Sequence, residues 1–139
     1  MGKVQVRLGL VGYGEIGSTL GAGLRNAGLQ VVHAYDKYAF DGPFASLIQR
    51  RAAEAGVTLV RSNRELSESA DLIISVTPGS ASLESAAAFV GCLGAQHTFV
   101  DFASATPKIK VSVADTLASS GALLADASIE GTPKNGYAM

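Results

Sequence analysis

Three glycines spaced G-x-G-x-x-G, namely Gly12, Gly14 and Gly17, close the apolar run of residues 4–11 and stand directly before a helical pattern. That placement suits the cradling of a dinucleotide, and each glycine has its own task there. Gly12 permits a tight turn out of a strand, where positive φ or crowding excludes a side chain. Gly14 lets a pyrophosphate lie against bare backbone, and Gly17 lets the new helix sit close on the strand. The N-terminus of that helix points unpaired N–H groups and the positive end of its dipole at the phosphates. Gly12, Tyr13, Gly14, Glu15, Ile16 and Gly17 are therefore the predicted cofactor-binding turn. The Glu15 side chain is given no ligand role of its own, because an acid there suits the helix dipole yet repels phosphate.

A second apolar run, residues 29–35, ends in Asp36, and 36 − 17 = 19 residues separate that acid from the last glycine. A carboxylate at this spacing meets the adenine ribose hydroxyls; it favours the free 2′-OH of NAD and repels the 2′-phosphate of NADP. Lys37 beside it is able to accept a phosphate, which keeps NADP open as a second cofactor. Thr77 and Pro78, with Gly79, follow another apolar run at the carboxyl edge, where they either line the cofactor or make a plain turn. Ser104 is open between substrate contact and the start of a helix, and Thr106 reads first as a helix cap. His33 reads as a packed core residue and His97 as a solvated one at a strand start.

These residues need a scaffold that brings strand ends to one edge. Strands are expected over residues 4–11, 29–35, 57–60, 71–77, 97–102 and 122–127. Ile16, Leu20 and Leu24 recur at helical spacing, and Gly28 supplies a stop. Asp41 is the expected cap of a second helix with Pro43 in its first turn. In that helix Phe44, Leu47, Ile48, Arg51 and Ala55 fall near one face before Gly56. Residues 62–69 are polar and read as a loop plus one helical turn. Ser80 or Ser82 caps an alanine-rich helix over residues 81–92. Thr106-Pro107 begins the last helix, Ile109, Val113 and Leu117 mark its buried face, and Gly121 ends it. Residues 128–139 read as connection. Strands alternating with helices mean an α/β protein with a parallel sheet covered on both faces. Right-handed crossovers and the glycine fingerprint favour a Rossmann doubly wound sheet of order 3-2-1-4-5-6.

A chain of 139 residues is one domain by length. Its composition, 47% hydrophobic and 17% charged, is globular. A net charge of −1 gives no strong pull toward nucleic acid or an anionic membrane, so neither is an expected partner. No apolar run approaches the roughly 18 residues of a bilayer span. The first residues break their apolar pattern with Gln5 and Arg7 and enter a strand, which is not a signal peptide. The single cysteine, Cys92, excludes an internal disulfide, fits a reducing cytoplasm, and reads as small structural filler. Too few Cys and His residues are present to expect a metal site.

Beyond the glycine turn, two further stretches carry a resemblance that covers nearly the whole chain. Val100-Asp101-Phe102-Ala103-Ser104-Ala105-Thr106-Pro107 looks like a D-x-S-[ST]-x-x-P substrate loop after a fifth strand. Gly121-Ala122-Leu123-Leu124-Ala125-Asp126-Ala127-Ser128-Ile129-Glu130-Gly131 is similar to a G-x-x-[FY]-x-D-A-P-V-S-G run. In this order the motifs resemble the β-hydroxyacid dehydrogenases, the 3-hydroxyisobutyrate and 6-phosphogluconate dehydrogenase group. The resemblance implies an NAD(P)-dependent oxidoreductase moving a hydride between a nicotinamide cofactor and a small hydroxyacid, with Ser104 and Thr106 as substrate-binding hydroxyls.

The departures from that pattern are local. Ala103 stands where many members carry a substrate-binding serine, and Ser128, Glu130 and Gly131 replace a proline-containing turn. The ending Gly131-Thr132-Pro133-Lys134-Asn135-Gly136 looks more like a lesser-known branch with poorly assigned substrates. Members carry a catalytic lysine on a helix after this domain, and an all-helical domain closes their active site. On that reading residues 1–139 are the dinucleotide-binding domain alone, without a catalytic residue. On the same reading Lys134, in a turn beside Asn135-Gly136, is not expected to be that lysine, the chain alone is expected to be inactive, and homodimerisation is expected to run through the helical domain.

Two other functions share the fingerprint. A non-catalytic nucleotide-sensing Rossmann module, such as those regulating potassium transport, needs Asp36 and the glycines but neither the 101–107 nor the 126–131 stretch. A methyltransferase has an overlapping glycine loop but adds an antiparallel last strand, and no hairpin is indicated.

Overall fold

The structure, a computed structural model, describes residues 5–131. Val4 in the first strand, Lys134 and the rest of the 132–139 ending lie outside the described residues. The elements run β1 (Leu8–Val11), α1 (Glu15–Asn26), β2 (Val32–Tyr35), α2 (Ala45–Ala55), β3 (Thr58–Leu59), α3 (Asn63–Ser69), β4 (Leu72–Ser75), α4 (Ser82–Ala87), β5 (Thr98–Asp101), α5 (Pro107–Leu117) and β6 (Leu123–Asp126). The sheet order is β3-β2-β1-β4-β5-β6, the doubly wound order expected from the sequence. Every pairing is parallel, β5 with β6 included, so among the described residues the antiparallel end of a methyltransferase sheet is absent.

Both faces of the sheet are covered because successive strand residues alternate sides. Leu8, Leu10, Val32 and Ile74 pack on one side with Ile48 and Ala52 of α2. Val11, Ile73 and Phe99 pack on the other with Leu66, Phe89, Val113 and Leu117. Phe89 meets Phe99 edge-on at 5.5 Å between ring centres. Gly9 lets α3 approach: a Cβ there would lie 2.9 Å from Leu66 Cδ1.

Several expected boundaries shift, each for a local reason. The first strand begins at Leu8 rather than earlier; the Arg7 carbonyl already accepts from Asp71 and Leu72 N–H, and its guanidinium pairs with Asp71 at 2.6 Å. The second strand begins at Val32, because Leu29 N–H turns back to Leu24 O at 3.0 Å and the Arg25 guanidinium takes the Leu29 and Gln30 carbonyls. Asp41 caps nothing: α2 starts after Phe44 without a side-chain cap, and Ala45 N–H bonds the Gly42 carbonyl. Its buried residues are Ile48 and Ala52, while Phe44 stays exposed.

Residues 62–69, expected to be mostly loop, form α3. Ser62 Oγ accepts from Glu65 N–H at 3.0 Å, and the Glu65 carboxylate accepts from Arg61 N–H at 2.8 Å. Such a reciprocal cap holds a short helix that buries Leu66 completely. The alanine-rich helix is short, ending at Ala87 instead of residue 92, and neither Ser80 nor Ser82 caps it. The Ser82 hydroxyl donates to Asp101 instead.

His97 is buried, not solvated. Its Nδ1 accepts from Gly94 N–H at 2.9 Å and its Nε2 lies 2.8 Å from the Ser67 carbonyl, tying the start of β5 to α3. His33 is half-buried, and Cys92 half-buried against the second core. Among the described residues no helix is long and apolar enough to cross a membrane, and no group of His, Cys, Asp and Glu could hold a metal ion.

Candidate functional site

The sheet order reverses at β1, which lies between β2 and β4, and a cleft of about 780 Å³ opens there at the carboxyl edge. Open α/β sheets collect ligands at such a switch point. The cleft walls come from the glycine turn, the loop after β2, the Thr77-Pro78-Gly79 turn after β4, and Phe102, Ala103 and Ser104 after β5.

The glycine turn is built as its sequence requires. Gly12 has φ +94° and its N–H donates to the Tyr35 carbonyl at 2.8 Å. A side chain on Gly17 would collide with the Gly12 carbonyl oxygen, so only glycine lets α1 start this close. Around Gly14 the space is open, with no heavy atom of the described residues within 4 Å of an added Cβ. No side chain caps α1 at Gly14, so the first-turn N–H groups are left to an outside acceptor. Glu15 and Ile16 line the cleft mouth.

Tyr13 takes a different place. Its ring is fully buried, beside the space Gly21 leaves for it. Burial pushes the phenol up to about 12, and its hydroxyl has no hydrogen-bond partner among the described residues. Only the backbone of Tyr13 faces the functional side, through its N–H. That N–H donates to Asp36 Oδ2 at 2.8 Å, and Tyr38 N–H donates to Asp36 Oδ1 at 2.8 Å. The carboxylate is thereby fixed in orientation, and each oxygen keeps acceptor capacity for a ribose hydroxyl.

Lys37 is exposed, with Nζ 5.1 Å from the centre of the Tyr38 ring. The Tyr38 side chain first, and then the Glu84 and Asp36 carboxylates, raise the Lys37 ammonium above the ordinary lysine value. Thr77, Pro78 and Gly79 all line the cleft. Gly79 packs so tightly on the Ser104 carbonyl that no side chain fits between them, which joins this turn to the loop after β5.

That loop rests on a polar cluster which sequence reasoning missed. Asp101 is buried at the end of β5; its Oδ1 accepts from Ala103 N–H at 2.9 Å and its Oδ2 from the Ser82 hydroxyl at 2.8 Å. Lys110 Nζ lies 3.3 Å from Asp101 Oδ2, 3.0 Å from the Asp101 carbonyl and 2.7 Å from Asp126 Oδ1. A signal existed: Asp101 and Asp126 end neighbouring strands and pair in register, so two carboxylates side by side call for a cation. Ser104 is exposed into the cleft. Thr106 is outside the lining, and its hydroxyl accepts from Ile109 N–H at 3.4 Å as the cap of α5. Tyr38, Asn63 and Glu84 also line the cleft and were not singled out from the sequence.

The family model for the NAD binding domain of 6-phosphogluconate dehydrogenase matches residues 7–137. No curated protein matches the sequence. Among solved structures, a conserved hypothetical protein from Sinorhizobium meliloti 1021 is similar with a TM-score of 0.85 at 24% identity, over 96% of this chain and 44% of the other. The 3-hydroxyisobutyrate dehydrogenase of Mycobacterium tuberculosis is similar with a TM-score of 0.75 at 25% identity, over 94% and 43%. An imine reductase from Pseudomonas sp. shares the fold with a TM-score of 0.73 at 20% identity, over 95% and 44%. The chain thus spans less than half the length of each of these proteins.

Proposed function

The chain belongs to the family of the NAD binding domain of 6-phosphogluconate dehydrogenase, and from that premise we propose that its cleft binds a nicotinamide dinucleotide, NAD in preference to NADP, for hydride transfer to or from a small hydroxyacid. The observation that carries this reading is the open backbone at Gly14, at the uncapped start of α1, with an oriented Asp36 carboxylate lining the same cleft. Room for a pyrophosphate and an acceptor for a ribose thus occur together.

In this reading the first-turn N–H groups of α1 hold the phosphates, and Asp36 holds the adenine ribose. Thr77 and Pro78 wall the cofactor on the β4 side. When bound, the nicotinamide ring supplies the hydride chemistry, and the protein supplies orientation and electrostatics. Ser104, exposed in the cleft after β5, contacts the substrate; the Asp101–Lys110–Asp126 cluster holds its loop in place. Thr106 serves that loop as the cap of α5. The Mycobacterium tuberculosis 3-hydroxyisobutyrate dehydrogenase was solved with L-serine, a small molecule of the hydroxyacid kind proposed here. A reducing, cytoplasmic setting suits the lone Cys92.

Calorimetric titration with NADH and NADPH tests the reading. NADH is expected to bind more tightly. Equal or tighter binding of NADPH would show that Lys37 overrides Asp36, and no binding of either would remove the cofactor reading.

A further inference from the structure

We propose that Asn63 reads the base of the dinucleotide, its side-chain amide accepting from the 6-amino group of adenine and donating to the N7 ring nitrogen beside it. The inference rests on the cofactor reading above and deepens it at the adenine end.

The sheet sets the direction. The glycine turn follows β1 and Asp36 follows β2, so a dinucleotide with its pyrophosphate at the first and its ribose at the second carries its base onward, toward β3. Strand β3 pairs with β2 through His33 with Thr58 and Ala34 with Leu59, and Val60 N–H donates to the Ala34 carbonyl at 2.9 Å. The segment after β3 thereby runs beside the Asp36 turn, and from that segment Asn63 alone lines the cleft.

Asn63 is not needed to start its own helix. Ser62 Oγ and the Glu65 carboxylate already take the Glu65 and Arg61 N–H groups there. Asn63 Oδ1 is shielded from water and accepts no hydrogen bond from any described residue. A buried acceptor left unpaired is costly, and native structures keep few of them. At the wall of a cleft, a ligand N–H can supply the partner, since the terminal torsion of asparagine is broad and lets the amide turn with little strain. Adenine suits an asparagine amide because its N6 donor stands beside its N7 acceptor. Hypoxanthine presents two acceptors on that edge, which one amide cannot satisfy together. Tyr38 supplies the surface for the base to lie on: it lines the same cleft with its ring 49% exposed, and Phe44 meets that ring edge-on at 6.5 Å. Aromatic rings stack on any base, so the choice among bases falls to Asn63.

The test is calorimetric titration of NADH against its hypoxanthine analogue, deamino-NADH, on the wild type, Asn63→Ala and Tyr38→Ala. The wild type should favour NADH by about ten-fold, within the range of a bidentate contact to a base. Asn63→Ala should reduce that preference to under about two-fold, chiefly by weakening NADH. Tyr38→Ala should weaken both dinucleotides by a similar factor, about five-fold or more, and keep the preference. Equal affinities in the wild type, a result that needs no variant to fold, overturn this inference alone. A preference that survives in folded Asn63→Ala does the same. Failure of the wild type to bind either dinucleotide overturns the cofactor reading and the inference with it.

Discussion

Replacing Gly14 with valine adds a side chain where α1 begins and the cleft floor is bare backbone. The folded state has room for it. Among the described residues an added Cβ meets no heavy atom within 4 Å, and the φ of −77° is not left-handed. What folding loses is the preference of an N-cap for glycine over an aliphatic residue, roughly 0.5–1 kcal/mol. In a chain of this size that lowers Tm by only about 2–6 °C. Binding loses far more, because the valine fills the space of the pyrophosphate beside the first-turn N–H groups. Hydrogen bonds to a charged acceptor contribute about 1.5–3 kcal/mol each. Losing two of them weakens Kd by roughly 100-fold or more. Thermal unfolding by circular dichroism and calorimetric titration with NADH measure the two effects separately. A folded Gly14→Val protein with undiminished NADH affinity would refute the reasoning, and the glycine would then serve the turn alone.

Lys110→Met should destabilise the fold by about 3 kcal/mol in urea denaturation, because it strands the buried Asp101 carboxylate beside Asp126. A loss under about 0.5 kcal/mol would mean the cluster is replaceable. Burial holds His33 below the ordinary histidine value, against the pull of Glu65 and with a smaller push from Arg7. The depressed folded value means that its contribution is fully present above the unfolded pKa of about 6.5 and is lost as pH falls through the folded value. His33→Gln should therefore flatten the acid side of the stability profile, and an unchanged slope would contradict the assignment. The chain by itself should not turn over hydroxyacids with cofactor present. Among the described residues the only lysine lining the cleft is Lys37, no histidine lines it, and Lys110 is engaged by carboxylates. Turnover by the pure chain, lost on mutating one of its lysines, would disprove this.

Much of the fold was legible because its rules are local or topological. The glycine turn follows from steric limits at Gly12 and Gly17, and the strand order from the handedness of crossovers. Thr106-Pro107 marked the last helix correctly for the same local reason. What was not legible depended on partners distant in sequence. His97 looked solvated at a strand start, yet its ring reaches Ser67 across 30 positions. Tyr13 counted among the cofactor-binding turn because it lies between two of its glycines; its ring turns inward because Gly21 clears a place for it. Helix α3 was underread although Ser62 and Glu65 have the spacing of a reciprocal cap, because its polar composition hid the single anchor Leu66. Of the residues lining the cleft, the glycines and Asp36 were legible from their spacing, whereas Lys110 meets Asp101 and Asp126 through strands brought together only by the sheet.

The most direct test of the central claim is a map of backbone amide shifts in ¹⁵N-labelled protein titrated with NADH. Saturable shifts are expected at Gly12, Gly14, Ile16 and Gly17, with a second group at Asp36 to Tyr38 and a third at Thr77. Shifts confined to another surface, or none at these amides under saturating NADH, would contradict the claim that this cleft is the dinucleotide site.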